Sequence, residues 1–128
     1  MKNKKKELIS NFSFLISHLT DGLWHDILKE SELEEGCFAY DIIAGCGERN
    51  KGRYALLSAT AMHCYGSRRR IKKVRSNFGL WGSRLCLRWV KVKDRFTCRL
   101  QIKTSQRYGY GVMINYEIAQ LWENNTMK

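Results

Sequence analysis

The chain has 128 residues, 44% of them hydrophobic, and it contains no proline. This length fits one domain, and the apolar fraction excludes a chain that is disordered throughout. The formal net charge of +11 is high for so small a protein and favours a polyanionic partner.

The positive charge is concentrated in the middle of the chain. Residues 1–48 carry 5 Lys/Arg and 9 Asp/Glu, residues 49–107 carry 17 Lys/Arg and one acid, Asp94, and residues 108–128 carry 1 and 2. A merely solvated surface usually mixes both signs, because mixed charge avoids self-repulsion. The middle segment is therefore predicted to contact an anion.

In the first half of the chain, apolar residues recur every three to four positions, the spacing of one helical face. This spacing predicts a helix over Leu8–Leu19 and a second from Asp21 to Leu33, with Asp21 as its cap and Gly36 after its end. Cys37–Ala39 fits a brief strand or turn. Two more helices are predicted, a short one over Asp41–Ala44 and, after the turn Gly45-Cys46-Gly47, a longer one over about Asn50–Tyr65.

The second half of the chain alternates apolar and polar residues, which predicts strands over Ile71–Phe78, Arg84–Trp89 and Phe96–Lys103. Leu85, Leu87 and Trp89 fall on one face of the middle strand. A turn is expected at Gly79–Gly82, and Val112–Trp122 is predicted to close the chain as a helix.

This order of elements predicts an α+β fold, a winged helix-turn-helix. It would have N-terminal helices, a basic β-hairpin wing plus an additional strand, and a short C-terminal helix. The expected divisions are an N-terminal helix in residues 1–20, the DNA-binding domain in 21–107 and a C-terminal tail or helix in 108–128.

The predicted helix at 50–65 would be the recognition helix, because a helix fits the major groove, where base edges carry a readable code. The residues expected to meet bases are Arg49, Asn50, Lys51, Arg53 and Tyr54. The wing would neutralise phosphates and position the protein without selecting a sequence. Its contact residues would be Arg68, Arg69, Arg70, Lys72, Lys73, Arg75 and Arg84.

Several short motifs occur in an order that resembles the CaiF/GrlA type of enterobacterial transcriptional regulators. They are Leu23-Trp24, Cys37–Ile42, Tyr65–Ile71 and Arg107–Val112 followed by Trp122. Two features depart from that family: Cys37 stands near its tryptophan position, and the segment between Asp41 and Tyr65 is several residues longer. The resemblance implies a DNA-binding activator of a virulence or metabolic operon, open to control by a partner protein.

Two alternative functions fit the same residues. In an RNA-binding protein, aromatic side chains interleaved with arginines would stack unpaired bases; the candidates are Trp81, Trp89, Phe96, Tyr108 and Tyr110. The competing interpretation places Trp89 and Phe96 in the sheet core. In a protein-interaction module that antagonises another regulator, an acidic helix at Glu30–Glu35 would carry the contact.

Catalysis and metal binding are not expected. The basic segment offers only Asp94 as a carboxylate, whereas metal-dependent phosphodiester chemistry needs several. Cys37, Cys46, His63 and Cys64 lack the Cys-x-x-Cys spacing of a zinc site. Five cysteines at wide spacing favour reduced thiols in the cytoplasm. The sequence thus predicts no cofactor and no membrane association. Double-stranded DNA is the expected partner. The sequence is also compatible with a homodimer and with a regulatory protein that binds the acidic helix.

Overall fold

A computed structural model describes residues 7–8, 18–28, 33–48, 52–79, 84–106, 108 and 112–124. These residues form nine strands and no helix. The strands are β1 (Glu7–Leu8), β2 (His18–Leu19), β3 (His25–Asp26), β4 (Cys37–Glu48), β5 (Arg53–Cys64), β6 (Arg68–Phe78), β7 (Leu85–Lys91), β8 (Cys98–Thr104) and β9 (Met113–Asn124).

The strands form two antiparallel sheets. The large sheet has the order β1-β9-β4-β5-β6, and β2 also pairs with β9; the small sheet has the order β3-β8-β7. The hairpins β4–β5 and β5–β6 supply the longest ladders, each pairing without interruption along its length. Strand β6 therefore lies at one edge of the large sheet.

Side chains alternate between the two faces of each long strand, as the pleat of a strand requires. In β5 every odd-numbered residue from Arg53 to His63 is buried, while Tyr54 to Met62 on the even positions are exposed. We call the buried side the inner face and the other the outer face. The inner face of the large sheet packs on the small sheet, and the core joins Ile42, Leu57 and Ile118 with Leu100 and Ile102.

Aromatic contacts fix the two sheets against each other near the β5–β6 turn. The ring of His63 on β5 meets Trp89 on β7 edge to face, with 4.9 Å between centroids, and Tyr40 on β4 lies 6.3 Å from the same indole. The indole Nε1 of Trp89 also donates to the carbonyl of Arg70, at 3.2 Å. This bond holds the edge strand β6 against the small sheet.

The predicted winged helix-turn-helix is wrong, because the described part of the chain consists of strands and loops. Residues 53–64 of the predicted recognition helix form β5, and Asp41–Ala44 lies within β4. Residues 113–122 of the predicted final helix form most of β9, which lies between β1 and β4 in the large sheet. The described residues of the two predicted N-terminal helices, at 8, 18–19, 21–28 and 33, are short strands and loops instead.

The strands predicted in the second half are confirmed. The predicted Ile71–Phe78 lies within β6, Arg84–Trp89 matches β7 and Phe96–Lys103 matches β8, each within a few residues at its ends. Leu85 and Leu87 are buried and Trp89 is half-buried, as their shared face predicted. Phe96 precedes β8 and is exposed, so it is not part of the core.

Candidate nucleic-acid interface

Strand β6 carries the densest positive charge of the described chain. It pairs with β5 on one side and with no other described strand on the other. Six of its eleven residues are basic, and five of these are exposed: Arg68, Arg69, Arg70, Lys72 and Lys73. Register places Arg68, Arg70 and Lys72 opposite Cys64, Met62 and Thr60 on the outer face. The strand thus presents positive charge on both sides of the sheet edge.

The basic side chains of β6 take no part in the salt bridges found among the described residues. Those bridges join His25 to Asp21, Arg53 to Glu48, Arg95 to Glu35 and Arg99 to Asp26. Arg75 has a structural role, since its Nε donates to the carbonyl of Leu85 at 3.0 Å. Arg69 lies close to the buried His63 and Cys98. The other four cations remain available to an external anion.

Apolar side chains occupy the far end of the same outer face. Phe78, the last residue of β6, lies directly opposite Tyr54, the first outer-face residue of β5. Phe78 is 64% exposed and Tyr54 is 39% exposed. Val74, Leu56 and Ile43 continue this exposed apolar surface across three strands. Single exposed apolar side chains are common on protein surfaces, but a continuous patch of them often marks a binding site.

Glycines on β4 leave room for these side chains. A Cβ on Gly47 would lie 2.5 Å from Cδ1 of Tyr54, and one on Gly45 would lie 2.9 Å from Cδ2 of Leu56. The tyrosine ring therefore lies over the bare backbone of its cross-strand partner, and the side chain stays partly exposed. Gly79 follows Phe78 with φ +94, and a Cβ there would meet the carbonyl oxygen of Gly52 at 2.3 Å. The C-terminal end of β6 therefore lies close to the backbone of Gly52 and Arg53, at the start of β5.

An open cavity of about 570 Å³ adjoins the aromatic pair. Its lining is mostly apolar and is made by Cys46, Gly52, Tyr54, Ala55, Leu56 and Phe78. Pockets that accept small flat molecules commonly have volumes of roughly 300–1,000 Å³. The volume is ample for an unstacked nucleobase.

His63 connects the basic edge to the core. It is buried, its Nδ1 accepts a hydrogen bond from the Gly66 N–H at 3.2 Å, and register places Arg69 opposite it on β6. Burial, with the nearby guanidinium of Arg69, lowers the pKa of His63 to about 4. The imidazole is neutral at physiological pH, and it supports the turn between β5 and β6 as an acceptor.

The predicted base-reading residues separate in the structure. Arg49, Asn50 and Lys51 lie outside the described residues. Arg53 is buried on the inner face, where Glu48 pairs with its guanidinium and the ring of Tyr108 lies 4.5 Å from its Cζ. Its predicted place at the start of a recognition helix is wrong, because β5 begins there. Tyr54 is exposed on the outer face and joins the apolar end of the site.

The predicted phosphate-binding residues largely come together. Arg68, Arg69, Arg70, Lys72, Lys73 and Arg75 share β6. Arg84 is exposed and directly precedes Leu85, which the side chain of Arg75 contacts. The sequence did not indicate that Phe78, Val74 and Leu56 form an exposed apolar patch, because their position on one face depends on the pairing of β5 with β6. If residues 53–64 are taken as a strand, alternation places Leu56 and Leu57 on opposite faces, so one of the two must lie away from the core.

The other sequence candidates do not form a second site among the described residues. Trp89 is half-buried, Tyr108 is buried, and Phe96 is exposed near the β7–β8 turn, while Trp81 and Tyr110 lie outside the described residues. The acidic helix is not present at residues 33–35, where Glu35 instead pairs with Arg95; Glu30 and Glu32 lie outside the described residues. In the described ranges no three His, Cys, Asp or Glu side chains cluster as metal ligands.

No family model, curated protein or solved structure matches this chain. Within the described residues there is also no helix long and apolar enough to cross a membrane. The resemblance to the CaiF/GrlA regulators stays a prediction, and the winged helix-turn-helix predicted from the order of elements is absent from the described fold. The functional argument therefore depends on the geometry of the outer face and the basic edge.

Proposed function

We propose that this protein binds single-stranded nucleic acid across the outer face of β5 and β6. The observation that carries the proposal is the placing of two exposed aromatic residues, Tyr54 and Phe78, on the same face and strands as Arg68, Arg70 and Lys72. Proteins that bind single strands combine these two elements, aromatic platforms for bases and a cationic track for the backbone.

In this arrangement the bases stack at the apolar end, and the phosphates follow β6. Each base stacked on an aromatic ring contributes roughly 1–3 kcal/mol, and every base has a π face, so the contact tolerates any sequence. Eleven residues of strand extend about 36 Å at roughly 3.3 Å per residue. That length suits a short segment of single strand, within the 4–16 nucleotides that sheet-based binding domains cover.

Double-stranded DNA is the second candidate, and a different observation favours it. Basic side chains project from both faces of β6, so the strand could contact phosphates on two sides at once. Of β5 and β6, only β6 can approach a groove, because β5 is paired with β4 along its other side. On this hypothesis the protein is a transcriptional regulator that uses the edge strand β6 in place of a recognition helix.

A binding titration separates the two candidates. The probes are a labelled single-stranded DNA, the same sequence as RNA, and the DNA in duplex form, all of equal length and measured by anisotropy over a series of salt concentrations. We expect both single strands to bind more tightly than the duplex. Equal or tighter duplex binding would favour contact of β6 with double-stranded DNA, and no binding of any probe at low salt would exclude both candidates.

A further inference from the structure

Cys37 and Cys64 lie opposite each other across two strands of the large sheet. Cys37 is the first residue of β4 and Cys64 the last of β5, and they are register partners. The next pair along the two chains is Gly36 and Tyr65, and the Tyr65 N–H donates to the Gly36 carbonyl at 2.8 Å. Gly36 and Tyr65 are thus a hydrogen-bonded pair, and such pairs alternate with non-hydrogen-bonded ones along an antiparallel ladder. Cys37 and Cys64 are therefore a non-hydrogen-bonded pair, the kind in which cross-strand side chains come closest.

This position suits a disulfide bond. The α-carbons of such a pair are typically about 4.5 Å apart, within the range of about 4.4–6.8 Å found between half-cystines. Both side chains are half-buried, so a small reagent can reach them, whereas Cys46 and Cys98 are buried. Cys86 faces Lys103 on the small sheet and has no cysteine opposite it.

We propose that Cys37 and Cys64 are a reversible disulfide site, oxidised by exchange with a small-molecule disulfide such as oxidised glutathione. The bond would join β4 to β5 beside the Tyr65-Gly66 turn, where the basic strand begins. The reaction requires no nucleic acid, so it stands whether or not the chain binds one.

The reaction consists of two successive thiol–disulfide exchanges. The thiolate of Cys64 attacks one sulfur of the small disulfide; a mixed disulfide forms and one small thiolate leaves. The thiolate of Cys37 then attacks the Cys64 sulfur, which forms the protein disulfide and expels the second small thiolate. The protein loses two protons and two electrons, and the small disulfide accepts both electrons. Burial and the neighbouring Cys64 thiol raise the pKa of Cys37 to about 11. The same products form whichever of the two thiolates attacks first.

Oxidation of the folded protein in a buffer of oxidised and reduced glutathione tests this assignment. Intact mass should fall by two hydrogens, and digestion without reduction should give one peptide pair linked through Cys37 and Cys64. The oxidised form should melt roughly 10 °C higher, because the bond restricts the unfolded chain. A link between any other two cysteines, or a protein that keeps all its thiols at high glutathione disulfide, contradicts the proposal.

Two variants provide matched controls. Cys37→Ser should stop the reaction at the mixed disulfide, so that Cys64 carries one glutathionyl group. Cys86→Ser removes a half-buried thiol of similar exposure and should leave the two-hydrogen loss unchanged. If Cys37→Ser does not fold, mapping of the wild-type protein still decides the question, since it needs no substitution.

Discussion

Arg53 and Glu48 form an ion pair at the end of the β4–β5 hairpin where the chain passes from one strand to the other, with side chains that are 8% and 13% exposed. Register places the two residues directly opposite each other, and the Nε of Arg53 donates to Oε1 of Glu48 at 3.2 Å. The guanidinium also lies over the ring of Tyr108. An arginine held in this way supports the fold, and its charge is not offered to a ligand.

Replacing Arg53 by alanine should therefore destabilise the protein while leaving its ligand affinity unchanged. Loss of one member of a buried pair commonly costs several kcal/mol, and we expect about 3 kcal/mol here, measured by urea unfolding with tryptophan fluorescence. The matched variant is Arg68→Ala, an exposed arginine whose removal should cost under about 0.5 kcal/mol. An Arg53→Ala protein that is as stable as the wild type but binds nucleic acid poorly would restore the predicted contact role.

Replacing Phe78 by alanine tests the stacking platform. We expect single-stranded affinity to fall roughly 5- to 100-fold, since one stacked base is lost. Phe78 is largely exposed, so the free energy of unfolding should change little. Phe96→Ala is the control, because Phe96 is 62% exposed but lies near the β7–β8 turn, away from the outer face of the large sheet. Equal losses in the two variants, or none in either, would argue against the platform.

The strands of the second half could be predicted from sequence because their alternation is strong. In β8, Cys98, Leu100 and Ile102 are all buried, with polar residues between them. In β5 the same alternation is hidden. The inner-face residues Ala55, Ala59 and Ala61 are small and are good helix formers, whereas the outer face carries Leu56 and other apolar side chains. Because apolar residues lie on both faces of β5, some of them also fall at the three-to-four spacing of a helix. The pairing of β5 with β4 and β6 makes this segment a strand.

The candidate site was predictable only in its charged part. A run of basic residues with no acid is visible in the sequence whatever the secondary structure, so Arg68–Arg75 was found. The pairing of Tyr54 with Phe78 depends on the register of β5 against β6, a contact between distant residues that no local pattern encodes. The same holds for Cys37 and Cys64, which only the register of β4 against β5 brings together.

A substitution at Gly47 should disturb the site without touching its charges. A valine there would push the ring of Tyr54 from the backbone over which it lies, because a Cβ already comes within 2.5 Å of the ring. We expect Gly47→Val to weaken single-strand binding about as much as Tyr54→Ala does. The double variant should lose no more than either single variant, since both remove the same contact. Additive losses in the anisotropy titration would mean that Gly47 acts elsewhere.

The salt dependence of binding should report the cations of β6. For single strands, log affinity falls against log salt with a slope of about −0.7 for each phosphate neutralised. If the three outer-face cations Arg68, Arg70 and Lys72 engage, the slope should be about −2.1, and Lys72→Ala should reduce its magnitude by about 0.7. Lys103→Ala is the control, since Lys103 lies over Trp24 on the small sheet. A slope that stays constant in Lys72→Ala would show that this side chain does not meet a phosphate.

Acidification should destabilise the fold through His63. The pKa of its imidazole is about 4 in the folded chain and about 6.5 when unfolded, since burial beside Arg69 opposes protonation. Between these values the unfolded chain binds more protons, so stability is complete above pH 6.5 and declines as pH falls towards 4, by roughly 3 kcal/mol in all. Urea unfolding between pH 4.5 and 7 measures this decline. In His63→Gln, where the amide can still accept from Gly66, the decline between pH 6.5 and 5 should be much smaller, because carboxylates titrate mainly below that range. Identical pH profiles for the two proteins would show that His63 does not limit stability in acid.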